Sequence, residues 1–225
     1  MGSRRTNPIA IRTDVLDISI YLGMSLFEGS EQKIVLPLQD ADITYFPGFI
    51  PSEIAREYFN ELLSETKWEQ DDIKIFGKVY AQPRLTALYG EAGKPYTYSG
   101  ITMHPKPFSP LLSEIKQKVE SVSEVNFTTV LLNLYRNGND SNGWHSDDEK
   151  ELGINPIIAS LSLGVKRKFN LRHKKDPSLK SSIELEHGSL LLMKGTTQHL
   201  WKHQLPKSAR IHQPRINLTF RIIKE

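Results

Sequence analysis

Arg215-Ile216-Asn217-Leu218-Thr219-Phe220-Arg221-Ile222 is a strand with two unlike faces. Alternate side chains of an extended chain point to opposite sides. Arg215, Asn217, Thr219 and Arg221 therefore share one side, and Ile216, Leu218, Phe220 and Ile222 the other. The apolar side must pack. The polar side either meets solvent, as in many antiparallel sheets, or lines a cavity. Thr128 to Arg136 repeats the pattern, with Leu131, Asn133 and Tyr135 opposite Val130, Leu132 and Leu134. Short runs follow at Ile157 to Leu163, Phe169 to His173, Ile183 to Glu186 and Ser189 to Met193, separated by Gly and Pro turns. Such spacing predicts a sandwich or barrel of jelly-roll type.

Two amphipathic helices precede these strands. Pro51 to Thr66 puts Ile54, Tyr58 and Leu62 on one stripe, with Phe59 and Leu63 beside it and Glu53, Arg56, Glu57 and Glu61 opposite. The second helix starts at Ser109 as N-cap with Pro110 at its first position, and buries Leu111, Leu112, Ile115, Val119 and Val122. The predicted fold class is α+β, mostly β: a double-stranded β-helix core over about residues 127–224, buttressed by N-terminal helices. Residues 1–40 read as a poorly ordered extension, and residues 41–225 as one domain.

The chemistry centres on Asn142-Gly143-Trp144-His145-Ser146-Asp147-Asp148-Glu149. Residues two apart on an extended segment face the same way, so His145 and Asp147 can converge on one ion. A downstream histidine, His203 or its neighbour His199, completes two His and one carboxylate. That set holds non-haem Fe(II) on one face of its octahedron and leaves positions open for chemistry. Asn133 and Tyr135 accompany the set, and a small dicarboxylate chelating iron needs cationic and hydroxyl partners at both ends. Arg215 and Arg221, on the polar face of the last strand, supply always-charged, bidentate recognition. This weighs against a merely solvated face.

Composition narrows the possibilities. The 225-residue chain has no cysteine, so disulfides, zinc ribbons and thiol nucleophiles are excluded. No apolar run approaches the roughly 20 residues of a membrane span, and no secretory h-region is evident. The expected protein is a monomer that is neither secreted nor membrane-bound, cytoplasmic in a bacterium or nuclear in a eukaryote. A net charge of +3 says little about partners. Its distribution says more: Lys166-Arg167-Lys168, Arg172-His173-Lys174-Lys175, Lys180, Lys207 and Arg210 cluster late in the chain. Charge runs are usually solvated faces, but phosphate contacts need such a surface.

Asn133-Leu134-Tyr135, His145 to Glu149, His203-Gln204-Leu205-Pro206 and Arg215 to Arg221, in that order, resemble the AlkB family of Fe(II)/2-oxoglutarate dioxygenases. The resemblance runs from about Ile43 to Ile223. Ile75-Phe76-Gly77-Lys78, Pro83-Arg84 and Tyr96-Thr97-Tyr98-Ser99-Gly100 are similar to the branch that repairs double-stranded DNA. It implies that His145, Asp147 and His203 bind iron, with His203 preferred to His199 for its His-x-Leu-Pro context. Asn133, Tyr135, Arg215, Asn217, Thr219 and Arg221 would bind 2-oxoglutarate. Ile75, Phe76, Gly77, Arg84, Tyr96, Tyr98, Ser99, Asp148 and Glu149 would contact an extruded base, Phe76 filling the gap in the duplex. Alone, Phe76 also reads as a core residue beside a hairpin glycine, and Val79 stands where the family's finger carries an aromatic.

The activity so implied is oxidative demethylation of bases such as 1-methyladenine and 3-methylcytosine in alkylated DNA, with 2-oxoglutarate and O2 as cosubstrates and formaldehyde released. The same chemistry on RNA and a non-catalytic nucleic-acid-binding barrel are the alternatives.

Overall fold

The computed structural model describes residues 32–75, 78–91, 96–98, 101–103 and 105–224. Seven strands make one antiparallel sheet, in spatial order β1 (Ile34–Val35), β2 (Asp42–Phe46), β13 (Ser189–Lys194), β10 (Ile158–Gly164), β15 (Arg215–Arg221), β8 (Thr129–Tyr135) and β5 (Leu85–Gly90). Four more form a smaller antiparallel sheet, in order β12 (Lys180–Leu185), β11 (Arg167–His173), β14 (Trp201–Leu205) and β9 (Asn142–His145). Two hairpins stand apart: β3 (Asp72–Ile75) with β4 (Lys78–Ala81), and β6 (Tyr96–Tyr98) with β7 (Ile101–Met103). The helices are α1 (Ser52–Glu65), α2 (Pro110–Ser123) and the single turn α3 (Thr197–Leu200). This is the mostly-β jelly roll with helical buttresses that the alternation predicts.

The two faces of β15 lead into two different interiors. Its apolar residues Ile216, Leu218 and Phe220 are fully buried, together with Val130, Leu132, Leu161 and Leu163, under Tyr58 and Leu62 of α1 and Leu112, Ile115 and Val119 of α2. Each such side chain contributes roughly 1.5–3 kcal/mol of burial, which docks the helices on the outer face of the large sheet. The α2 start is as read: the Leu112 amide donates to Ser109 Oγ at 3.2 Å, with Pro110 in the first turn. The Tyr58 hydroxyl donates to Glu114 and ties α1 to α2. The other face of β15 looks into the space between the sheets, where Tyr45, Leu131, Ile158, Phe169, Leu171, Leu191 and Trp201 make a second core.

Three expectations need correction. The folded domain begins before residue 41, because β1 pairs with β2 and Leu36 is buried. In α1 the buried stripe is Ala55, Tyr58 and Leu62, while Ile54 is 37% exposed. Trp201–Leu205, absent from the strands read above, is β14, and it carries His203. It is a central strand of the small sheet, so its inward residues Trp201, His203 and Leu205 are buried and its outward ones only partly so.

Candidate metal and cosubstrate site

The register of the small sheet sets His203 of β14 directly opposite His145 of β9. Their Nε2 atoms lie 3.1 Å apart. Asp147, just beyond the end of β9, brings Oδ2 to 3.8 Å from His203 Nε2. One ligand atom from each of the three lies within 4.8 Å of the others. The sequence placed these residues together, and the structure gathers them.

Each ligand is held from behind. His145 Nδ1 lies 2.8 Å from the Gly143 carbonyl; a proton on Nδ1 donates there and turns the Nε2 lone pair into the site. The Asp147 amide donates to Gln198 Oε1 at 2.9 Å, and the Ser146 hydroxyl to the Trp201 carbonyl at 2.9 Å. The His203 ring stacks on Phe169, with centroids 5.1 Å apart. Arg221 donates to Asp147 Oδ1 at 2.7 Å, which leaves Oδ2 facing the histidines.

Electrostatics favour a cation here. Burial raises the Asp147 carboxyl, but the Arg221 guanidinium and then the two histidines outweigh it and hold its pKa well below the ordinary range. Burial first, then His145, push His203 down to about 3. Burial also lowers His145. Two neutral imidazoles and one carboxylate converge with their lone pairs inward, which suits a divalent first-row metal.

A slot of about 40 Å³ runs inward from this cluster, lined by Asn133, Tyr135, Ser160, Asn217, Thr219 and Arg215 among others. The register of β10, β15 and β8 builds it: Asn217 sits between Asn133 and Ser162, and Thr219 between Leu131 and Ser160. Polar residues on three neighbouring strands thus form one stripe on the interior face. Arg84 donates to Asn133 Oδ1 at 2.8 Å, and the Asn133 amide donates weakly to the Leu131 carbonyl at 3.5 Å, which fixes the side chain against the slot.

Arg215 closes the inner end. It is 2% exposed, its guanidinium centre is 5.4 Å from the Tyr135 ring centroid, and Nη2 donates to Ser162 Oγ at 2.9 Å. Its Nε has no hydrogen-bond partner, and none of the ion pairs among the described residues includes it. Burial lowers its pKa to about 10. A buried cation with an unmet donor calls for an anion, and the carboxylate of a small dicarboxylate anchored at the metal supplies one.

Other expectations fall differently. Arg84 is buried and bonded to Asn133 and, at 3.2 Å, to Asn142; it holds site residues in place rather than facing an extruded base. Asp148 is paired with Lys174 at 2.7 Å. Glu149 is half-buried and its Oε2 has no partner. Phe76, Gly77 and Ser99 lie outside the described residues, and for Ile75, Tyr96 and Tyr98 only the strands β3 and β6 are described. His199, the alternative third ligand, belongs to α3, and its Nε2 accepts from the Asn155 amide at 3.0 Å.

Of the basic residues read as one surface, Arg167 and His173 are buried, while Lys166, Lys168, Arg172, Lys175, Lys180, Lys207 and Arg210 are exposed. Arg167 is a bolt: it donates to the carbonyls of Asn137, Asp140 and Pro206 at 3.2, 2.9 and 2.8 Å and lies 5.7 Å from the centroid of the Tyr135 ring that Arg215 also contacts. Gln198, Ser160, Ser162 and Arg167 were missed. The two serines carried a signal, as hydroxyls in an otherwise aliphatic strand, and Arg167 a weaker one, as the middle of three cations that a strand must split.

A jelly roll that pairs a His-Asp-His cluster with a guanidinium at the end of a polar slot defines an oxygenase that uses a metal and a small dicarboxylate together. Residues 42–221 match the family model described as the 2OG-Fe(II) oxygenase superfamily, and this chain belongs to that family, among its AlkB homologues. Fe(2+) and 2-oxoglutarate are thereby its cofactor and cosubstrate. It is 42% identical over 210 residues to the alpha-ketoglutarate-dependent dioxygenase alkB homolog 3 of Bos taurus, covering 87% of this chain and 71% of that one. It is also 42% identical over 179 residues to the DNA oxidative demethylase ALKBH2 of Homo sapiens, covering 75% and 69%. These identities do not separate the two branches. The structure of OsALKBH1 superposes with a TM-score of 0.54 at 16% identity, covering 80% of this chain and 96% of that one, and shares the fold.

Proposed function

We propose that the protein is an oxidative demethylase of N-alkylated bases in DNA. The observation that carries this reading is the cluster of His145, Asp147 and His203 facing, down one polar slot, an Arg215 with no anion of its own. It is supported by the relatives named as DNA oxidative demethylases.

In this reading His145, Asp147 and His203 would hold the iron. Iron with 2-oxoglutarate and dioxygen supplies the oxidising power that hydroxylates a methyl carbon on a base nitrogen. The balance is N-methyl base, O2 and 2-oxoglutarate going to unmethylated base, formaldehyde, succinate and carbon dioxide. Arg221 holds Asp147 in its ligating orientation through Oδ1. Asn133, Tyr135, Asn217 and Thr219 orient the cosubstrate, and Arg215 and Ser162 bind its distal carboxylate. Because 1-methyladenine and 3-methylcytosine are cations, Glu149, whose Oε2 has no partner, is the acid proposed to face them, Asp148 being already paired with Lys174. No protein nucleophile is needed. All these groups come from one chain, so a monomer suffices.

A base must leave its stack to reach such a pocket. The finger residues Phe76 and Gly77, with Ile75, Tyr96, Tyr98 and Ser99, are proposed for that step, and the exposed lysines and arginines for phosphates. The test is one incubation series: methylated duplex, methylated single strand and methylated RNA, each with iron and 2-oxoglutarate, assayed for formaldehyde. Formaldehyde from either DNA substrate above the RNA level supports the reading. Formaldehyde from RNA alone transfers the chemistry to RNA, and succinate without formaldehyde from any of the three refutes demethylation.

A further inference from the structure

Asn142 lines the slot at its metal end and belongs to neither the ligand set nor the cosubstrate set. Strict alternation would turn it away. It stands three residues before His145, and side chains three apart on an extended chain face opposite sides. β9 departs from that rule: Leu205 pairs with Asn142 and His203 with His145, so two steps along β14 answer three along β9. The extra residue is a bulge, and a bulge re-aims the side chains beside it. Asn142 and His145 both line the slot as a result.

The amide is oriented as well as aimed. Arg84 Nη1 donates to Asn142 Oδ1 at 3.2 Å, while its Nε donates to Asn133 Oδ1 at 2.8 Å. A guanidinium accepts nothing, so Asn142 must turn its oxygen to Arg84 and its nitrogen away. That nitrogen, Nδ2, ends 3.2 Å from His145 Nε2. With the Nδ1 proton of His145 given to the Gly143 carbonyl, Nε2 is an acceptor, and it is the ring atom that meets His203 in the cluster. Iron bound through that lone pair displaces the amide. His145, Asp147 and His203 offer a metal only lone pairs, whereas Asn142 brings an N–H to the same end of the slot.

We infer that Asn142 is a further cosubstrate-binding residue, whose Nδ2 donates to the 2-oxo-acid end of 2-oxoglutarate. The bulge in β9 aims the side chain, and Arg84 fixes which atom of the amide faces the slot. Through the same guanidinium Asn142 is tied to Asn133, so the two amides bracket the region where the cosubstrate meets the metal, and Arg215 holds the far carboxylate. The inference rests on the cosubstrate slot of the demethylase reading and is independent of which methylated base or nucleic acid is acted on.

The test needs no nucleic acid. Calorimetry of 2-oxoglutarate into the Mn(II)-loaded protein is compared for the unmodified chain, Asn142→Ala and Asn142→Asp, together with Mn(II) affinity alone and the visible charge-transfer band of the Fe(II) and 2-oxoglutarate complex kept free of oxygen. Asn142→Ala weakens 2-oxoglutarate by roughly tenfold, the loss of one hydrogen bond to a charged group. It leaves Mn(II) affinity equal or higher, because an N–H that competes for the His145 lone pair is gone, and it moves the band to shorter wavelength, because a donor no longer draws electron density from the chelating oxygens. Asn142→Asp keeps an oxygen for Arg84 but has no donor, so it binds 2-oxoglutarate at least as weakly as Asn142→Ala. Binding within twofold of the unmodified protein in either variant, or an unmoved band, overturns the inference. So does a fall in Mn(II) affinity, which would make Asn142 a prop for His145 and nothing more. These outcomes leave the demethylase reading standing, whereas an unmodified protein that fails to bind 2-oxoglutarate defeats the slot itself and the inference with it.

Discussion

Replacing Arg215 by Met separates what the slot does for the fold from what it does for the cosubstrate. The guanidinium is 2% exposed, donates to Ser162 Oγ at 2.9 Å and hydrogen-bonds Tyr135, leaves Nε unpartnered, and faces no carboxylate in the ion pairs of the described residues. An apolar side chain of similar length removes a desolvated charge, and such replacements are often neutral or stabilising, by about 1–4 kcal/mol. The bound dicarboxylate, by contrast, loses its buried counter-ion, at about 2–5 kcal/mol. A middle value of about 3 kcal/mol is a factor of roughly 150 in affinity. Titration calorimetry of 2-oxoglutarate into the Mn(II)-loaded protein should therefore show a dissociation constant raised by about two orders of magnitude, with Mn(II) affinity itself unchanged and the melting temperature equal or higher. A variant that unfolds, or that binds 2-oxoglutarate within threefold of wild type, would refute the assignment of Arg215 as the distal anchor.

Three further outcomes follow from neighbouring geometry. Burial lowers the Arg215 pKa, but a guanidinium stays protonated across the range in which proteins are ordinarily handled, so 2-oxoglutarate affinity should show no loss from Arg215 between about pH 7 and 9; calorimetry against pH checks this. Gln198→Ala removes the acceptor for the Asp147 amide and should weaken metal binding by about 10- to 100-fold, read by competition with a chelator. Arg167→Met strips three backbone carbonyls of their donor and should lower stability by about 3 kcal/mol in urea unfolding; a loss under about 0.5 kcal/mol would mean that the bolt holds nothing.

The parts of this fold that were legible in the sequence are those with a period. β15 and β8 alternate strictly, and the prediction of two unlike faces came out as two distinct interiors, the helix-covered core and the slot. The metal set was legible for the same reason: residues two apart on an extended segment fixed His145 with Asp147. β14 was not legible. Trp201-Lys202-His203-Gln204-Leu205 does alternate, but it follows the helical turn that bears His199 and is only five residues long, so its neighbours on the sheet, rather than its own pattern, make it a strand. Likewise Ile54 and Ala55 share the same stretch of α1, and which of them is buried depends on how the helix is rolled against β10, a tertiary choice that a 3.6-residue period leaves open.

Arg167 shows the deeper limit. In the chain it is one of three consecutive cations, Lys166-Arg167-Lys168, and a run of charge predicts a solvated face. In a strand, however, neighbours are sent to opposite sides, so the run had to split: Lys166 and Lys168 stay exposed and Arg167 turns inward at 1% exposure. Burying it is tolerable because three carbonyls and the face of Tyr135 receive the guanidinium, and those acceptors lie 27 to 39 residues away in sequence, with the ring at Tyr135. The alternation rule already implied that one member of the trio faces the interior; what the sequence could not supply was the set of carbonyls that makes an inward arginine cheaper than an inward lysine, whose single ammonium cannot span donors to three separate turns. Arg167→Lys should accordingly retain the charge and still lose most of the stability lost in Arg167→Met, an outcome that separates a geometric bolt from a mere positive charge beside the slot.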